Sequence, residues 1–400
     1  MTDWTISTLG EICKKGGGSI QTGPFGSQLH ESDYQQEGTP VVMPADINNG
    51  LISTRRIARV SENHVQRLKR HKLKLGDIVY GRRGDIGRQA LVRDTNVGWL
   101  CGTGCLKVTL GSAAVSSEFL HRYLSTQSVI GWIEGQAVGA TMPNLNTGIL
   151  ERVPVIFPKA IETQQKIAAI LSAYDDLIAN NQRRITLLER MAEDIYLEWF
   201  VRLRFPGHEN VARDRGVPAG WNVCSLGDVL ELCYGKALKD EDRQSGTVPV
   251  YGSGGVVGAH STSLVDGPGI VVGRKGNVGS VFWSERAFFP IDTAYFVRSA
   301  ASLYYLVFLL RSMNFINNDS AVPGLSRQQA YSNKLLFPPN RLIEDFTAKV
   351  KVLFDAKRVL SEQNEVLKAT RDALLPRLIS GKLSVNALDI HFPPGMVEAG

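Results

Sequence analysis

Two short stretches place adjacent cations between glycines: Tyr80-Gly-Arg-Arg-Gly-Asp-Ile-Gly87 and Val272-Gly-Arg-Lys-Gly-Asn-Val-Gly279. Each follows an apolar run (Asp77-Ile-Val-Tyr80, Gly269-Ile-Val-Val272) and leads into another, Ala90-Leu-Val92 or Ser280-Val-Phe-Trp283. That is the pattern of a β-hairpin whose glycines supply positive φ. Arg82, Arg83, Arg274 and Lys275 at such tips could contact phosphate or the edge of a base, since glycine lets a backbone come close. The alternative is a solvated turn. A cation pair that recurs together with its glycines is hard to explain as packing, because nothing apolar is expected at the tip. Asn277 lies in the second of these turns.

Other basic and polar residues gather in the same regions. From Arg55 to Arg88 there are eleven Lys and Arg against three acids, Arg55, Arg56 and Lys72 among them. Such a block suits phosphate contact, each neutralised phosphate releasing counterions; a solvated basic face fits this segment alone equally well. Asn144 and Asn146 lie in Thr141-Met-Pro-Asn-Leu-Asn146, and Arg327 and Gln328 in Pro323-Gly-Leu-Ser-Arg-Gln328. Gly23-Pro-Phe-Gly-Ser-Gln28 is a further polar loop, with Tyr234-Gly-Lys236 as its shorter relative. Arg suits guanine and Asn or Gln suits adenine, although ordinary turn chemistry would account for any one of these residues taken singly.

Catalytic patterns are missing. There is no Gly-x-x-x-x-Gly-Lys-Ser/Thr phosphate loop. Gly252-Ser-Gly-Gly-Val-Val-Gly258 misses the third glycine of a dinucleotide fingerprint by one place, and no helix is expected after it. An amino-methyltransferase would show Asn/Asp-Pro-Pro-aromatic, whereas Phe337-Pro-Pro-Asn340 has the wrong order. No serine occupies a Gly-x-Ser-x-Gly elbow, and the seven histidines are scattered. The five cysteines are odd in number and irregular in spacing, which fits reduced thiols; Cys101 and Cys105 have no second pair nearby, so no metal site is expected. The net charge of +6 names no partner by itself. The first residues carry no leader pattern and no run of 18 apolar residues occurs, so a soluble cytoplasmic protein without a membrane segment is expected.

The elements that hold these residues repeat. Trp4-Thr-Ile-Ser-Thr-Leu-Gly10 reappears as Trp221-Asn-Val-Cys-Ser-Leu-Gly227, an offset of 217. The cationic turns recur at an offset of 192, and Pro143-Asn-Leu145 with Phe157-Pro158 recur as Pro323-Gly-Leu325 with Phe337-Pro338 at 180. Three anchors in order point to duplication, the second copy trimmed. A long helix is expected after each copy. Ile167, Leu171, Tyr174, Ile178, Asn181, Ile185, Leu188, Ala192, Ile195 and Trp199 alternate steps of four and three, as do Phe346, Val350, Leu353, Lys357, Leu360, Asn364, Leu367, Arg371, Leu374 and Leu378. A sustained 3.5-residue period marks a coiled-coil seam, and seam asparagines can fix its register. Amphipathic helices lying on the globular parts are the alternative. The expected fold class is α+β: two related mixed α/β domains separated by two long antiparallel coiled-coil helices, with a pseudo-twofold internal repeat. Short helices are expected at residues 117–124 and 303–310.

On these features the chain resembles the specificity subunit of type I restriction–modification enzymes over nearly its whole length. The most specific stretch is Glu198-Trp-Phe-Val-Arg-Leu-Arg-Phe-Pro-Gly207 followed by Val217-Pro-Ala-Gly-Trp221, similar to the family's junction between its central conserved helix and second target-recognition domain. Gln164-Gln-Lys-Ile-Ala-Ala-Ile-Leu171 resembles the opening of the central helix, and Leu374-Leu-Pro-Arg-Leu-Ile-Ser-Gly-Lys382 the end of the distal one. The resemblance implies a first target-recognition domain over 1–158, a central helix over 159–204, a second domain over 205–340, a distal helix over 341–382 and a tail over 383–400. It implies a non-catalytic subunit that reads a bipartite target in double-stranded DNA, but its recognition domains vary too much to carry over a base contact; the candidate contacts, Arg55, Arg56, Lys72, Arg82, Arg83, Asn144, Lys236, Arg274, Lys275, Asn277, Arg327 and Gln328, come from the residues themselves. Two methyltransferase (modification) subunits and the restriction motor-nuclease subunits are the implied partners. They would dock on the paired helices marked by Ile167, Leu171, Ile178, Leu188, Trp199, Leu353, Leu360, Leu367 and Leu374. S-adenosylmethionine, ATP and Mg are expected on those partners and no cofactor on this chain. A stand-alone DNA methyltransferase or nuclease, and a purely structural coiled-coil adaptor, are the competing readings.

Overall fold

Alternating apolar residues bounded by glycines do form strands. The computed structural model describes residues 3–48, 50–82, 87–112, 114–136, 144–315, 324–390 and 392. Arg83 and the anchors Pro143 and Pro323 lie outside the described residues. The chain divides into two units, residues 1–178 with 365–400 and residues 179–364.

Unit 1 includes the strands β1 (Trp4–Thr8), β2 (Gly17–Thr22), β3 (Thr39–Val42), β4 (Ala58–Val60), β5 (Ile78–Gly81), β6 (Gln89–Leu91), β7 (Leu100–Cys101), β8 (Cys105–Gly111) and β9 (Pro154–Pro158), besides a hairpin of two-residue strands at Ile47–Asn48 and Leu51–Ile52. Helices α1 (Ser117–Leu124) and α2 (Thr147–Glu151) precede the long α3 (Ile161–Tyr196), of which residues 161–178 belong here. Four strands form an antiparallel sheet in the order β2-β8-β5-β6, β3 lies between β4 and β7, and β1 pairs with β9. The core joins Ile78, Tyr80, Leu106 and Val108 of the sheet to Phe119 and Leu120 of α1 and Ile167, Ala168 and Leu171 of α3.

Unit 2 repeats this plan with β10 (Asn222–Ser225), β11 (Glu231–Tyr234), β12 (Val248–Gly252), β13 (Gly255–His260), β14 (Gly269–Gly273), β15 (Val281–Ser284), β16 (Phe289–Pro290), β17 (Ala294–Arg298) and β18 (Lys334–Phe337). Its helices include α4 (Leu303–Ser312), α5 (Arg327–Ser332) and α6 (Asn340–Ile379), the last crossing into unit 1 after Asn364. The sheet order is β11-β17-β14-β15, β12 lies between β13 and β16, and β10 pairs with β18. The pairings just given for unit 1 thus have their counterparts, including the parallel pairs β3–β7 and β12–β16, while the short hairpin of Ile47–Asn48 with Leu51–Ile52 belongs to unit 1 alone among the described residues. The dinucleotide-like glycines are the turn of the β12–β13 hairpin. Rings dominate this core: Tyr196, Trp199 and Phe200 meet Tyr305, Phe308 and Phe346.

The helices expected over 159–204 and 341–382 are α3, continued by a π-type turn at Leu197–Val201, and α6, which carries Pro376. Within unit 1, Asp175 of α3 pairs with Arg371 of α6; within unit 2, Asn181 meets Asn364 and Glu189 meets Lys357. In unit 2 the partner numbers run in opposite senses, so the helices pair antiparallel there. All twenty seam positions are buried or half-buried. The polar ones are satisfied: Asn181 Nδ2 donates to Asn364 Oδ1 at 3.1 Å, Lys357 lies 3.0 Å from Glu189 and 3.4 Å from Glu285, and Arg371 shares Asp175 with Arg122 of α1.

Candidate nucleic-acid interface

In unit 1 the strand β5 delivers Arg82 to the end of its hairpin. The Arg82 amide donates to Gly104 O at 2.8 Å, and Arg82 O accepts from the Leu145 amide at 3.0 Å, which fixes the Asn144 loop beside the turn. Arg82 Nε donates to Asn144 Oδ1 at 3.1 Å. The loop from Gly23 closes the other side, so that Thr22, Gly23, Phe25, Arg82, Thr103 and Gly104 line a recess of about 340 Å³. Gly23 is needed there for space: a Cβ would fall 2.0 Å from Gly102 O.

Unit 2 builds the same juxtaposition. The Arg274 amide donates to Thr293 O at 2.9 Å, and Arg274 O accepts from the Leu325 amide at 2.8 Å. Lys275 forms a bridge with Gly324, so the turn and the Arg327 loop meet. The expectation that nothing apolar borders the tip is overturned here. Arg274 Cζ lies 4.8 Å from the ring centre of Tyr234 and 5.8 Å from that of Tyr295; Arg327 Cζ lies 4.0 Å from Tyr234. Arg274 Nη1 donates to Asp292 O at 3.0 Å, and Tyr295 Oη to Leu325 O at 2.9 Å. Burial raises the pKa of the Tyr295 phenol, which keeps it a donor. Lys236, Lys275, Asn277 and Gln328 are exposed around this cluster of loops. Tyr234 and Tyr295 are the residues that sequence reasoning missed; the only signal was the Tyr234-Gly-Lys236 loop.

The basic segment of unit 1 is held from beneath. Lys107 on β8 is buried, and its Nζ donates to Lys72 O at 2.8 Å and Arg70 O at 3.3 Å while lying 3.8 Å from Asp77. Gln21 Nε2 donates to Arg70 O at 2.7 Å. Burial lowers the pKa of the Lys107 amine and raises that of the Asp77 carboxyl, each against the pull of its partner. His71, buried beside Arg70 and Lys107, is pushed down to about 4 and stays neutral. Lys72 is half-buried in this turn, whereas Arg55 and Arg56 are exposed before β4. Among the described residues no contact joins Arg55 or Arg56 to Arg82. None of these groups makes a nucleophile–base pair; Cys101 and Cys105 are free, buried thiols whose pKa burial raises.

The helix residues lie inside their own units. Ile167 and Leu171 pack in the unit 1 core and Trp199 in that of unit 2, Leu360 is buried, and Ile178, Leu188, Leu353, Leu367 and Leu374 are half-buried.

Comparison with known proteins gives a consistent result. The type I restriction modification DNA specificity domain matches residues 1–190 and again 218–341. The specificity subunit of the type I restriction enzyme MjaIX from Methanocaldococcus jannaschii is 24% identical over 425 residues, covering 96% of this chain and 95% of that one. A putative MjaX specificity subunit of the same organism is 19% identical over 96% of this chain and 94% of its own. The crystal structure of the type I restriction–modification system S subunit from M. genitalium has the same fold, with a TM-score of 0.57 at 20% identity over 94% of this chain and 96% of that one. With the specificity domain matched twice along one chain, and with the duplicated strand order seen here, the protein belongs to the family of type I restriction–modification DNA specificity subunits.

Proposed function

We propose that each unit reads one half of a bipartite target in duplex DNA through its cationic hairpin turn and the adjoining loop. As a specificity subunit the chain recognises DNA within a type I restriction–modification complex and is not itself an enzyme. The observation that carries the reading is the repeated backbone bond, Leu145 to Arg82 and Leu325 to Arg274, which brings the sequence-remote tip and loop together in each unit. Backbone ties of this kind preorganise side chains that must meet a fixed pattern of acceptors. Exposed lysines contact phosphate and set affinity, while fixed arginines and Asn144 face base edges and set sequence. The globular parts, residues 1–158 and 205–340, act as the two target-recognition domains. The paired helices hold them at a set spacing, so that the second half-site binds as an intramolecular event. Those helices dock two modification subunits, which bind S-adenosylmethionine and flip the adenine, and the restriction subunits use ATP and Mg. This chain holds none of these cofactors and works in the cytoplasm; among the described residues no helix is long and apolar enough to cross a membrane.

Footprinting of the full chain, copurified with its modification subunits, tests the reading. Two protected stretches with an unread gap are expected, Arg82→Ala weakening one and Arg274→Ala the other. A single protected stretch, or equal loss at both from either substitution, contradicts it.

A further inference from the structure

Two guanidinium groups lie over the Tyr234 ring, Arg327 Cζ at 4.0 Å and Arg274 Cζ at 4.8 Å from its centre, and the tyrosine is 48% exposed. Among the described residues neither arginine forms an ion pair. The ring face attracts each cation, but two like charges on one phenol still call for an acceptor-rich group from outside. Neither arginine is a loose surface cation. Arg274 is tethered to Asp292 O, and Arg327 is half-buried, with its Nε enclosed and without a hydrogen-bond partner.

Unit 1 lacks this arrangement at the equivalent places. Thr22 pairs with Leu106 and Leu106 with Tyr80, as Tyr234 pairs with Tyr295 and Tyr295 with Val272, so Thr22 stands where unit 2 has Tyr234. Counting from Leu145 and Leu325, Asn144 stands where unit 2 has Gly324, and Thr147 where it has Arg327.

We propose that Tyr234, Arg327 and Arg274 form a guanine-reading head, with Arg327, stacked on the phenol, presenting its fork to guanine O6 and N7 in the half-site read by unit 2. This rests on the DNA-recognition reading above and adds which base is read and by which residues. Guanine is favoured over phosphate because a fixed planar fork matches a two-acceptor edge, whereas the exposed, flexible Lys236 and Lys275 nearby suit phosphate. Among the described residues unit 1, with threonines at the two stacking positions, shows no such head.

The test uses the full chain with its modification subunits and a duplex carrying its mapped methylation motif. Each guanine is replaced in turn by 7-deazaguanine, which pairs normally but lacks the N7 acceptor. One guanine of the half-site read by unit 2 should stand out, its replacement weakening wild-type binding about 10-fold or more. That scan needs no variant protein. Arg327→Lys should lose a similar factor and become insensitive at that same guanine, while Tyr234→Phe retains the discrimination and Tyr234→Leu loses it. The proposal is overturned if no guanine stands out, if Arg327→Lys binds every duplex as wild type does, or if its loss is uniform over positions with a reduced salt slope. A wild-type complex without any sequence preference would instead overturn the DNA-recognition reading itself.

Discussion

Lys275 and Arg327 sit in neighbouring loops of unit 2 with different physical settings, one exposed on a turn and one half-buried against a ring. If Lys275 meets phosphate, Lys275→Ala should weaken binding alike on all sequences and reduce the slope of log K against log salt by about 0.9, as read in titrations at several salt concentrations. Buried histidines give unit 1 a distinct acid sensitivity. Burial takes His71 down to about 4 and His121 to about 3 from an ordinary 6.5. Between those values and 6.5 the unfolded chain binds protons that the native one does not. Their stabilisation is therefore complete above about pH 6.5 and is lost as pH falls toward 4 and below, at up to about 1.4 kcal/mol per pH unit for each histidine. Thermal melts should show this acid limb, and His121→Gln should flatten part of it; an unchanged limb would remove His121 from the cause. The cations of both tips were legible as residues because glycines mark their turns. The Tyr234 platform was not, because its ring partners stand 40 and 93 residues away and no local pattern links them.

The long helices were the most legible elements, since a 3.5-residue period is carried by many positions at once and survives four polar interruptions. The seam asparagines illustrate what such a pattern leaves open. Periodicity places Asn181 and Asn364 on the apolar stripe but does not say that they meet; the fold brings Asn181 Nδ2 to 3.1 Å from Asn364 Oδ1. Asn181→Leu alone removes the bond from Asn181 Nδ2 to the buried Asn364 Oδ1 and should cost about 1–3 kcal/mol, while the double change to leucine should cost less than the sum of the two single ones. A double-mutant cycle by denaturant unfolding checks this, and additive effects would deny the coupling. Least legible were the short strands such as β7 and β16, two residues each, whose existence depends on parallel partners far along the chain. The β12–β13 hairpin was hidden for another reason: its glycine spacing imitates a cofactor motif, and only pairing across the turn distinguishes them.

At the scale of the molecule, the proposed reading is of two recognition events in one chain, with the helix pair setting the spacing of the half-sites. Lengthening both helices by seven residues, within 181–192 and within 353–364, keeps the seam in phase and adds about 10 Å at 1.5 Å per residue. The unread gap of the preferred duplex should grow by about 3 base pairs in a binding series of graded spacers; an unchanged optimum would show that the helices do not set it. The repeat and its order were legible early because turns and strand starts recur together, while the offset falling from 217 to 180 already showed a trimmed second copy. What each unit reads was not legible, since base-facing side chains come from loops that differ between the copies. The most direct measurement is a map of methylated adenines across the genome of a host carrying the complete system. Two short defined sequences separated by a constant number of unspecified base pairs are predicted; one continuous motif, or a gap of variable length, would contradict two readers held at a fixed distance.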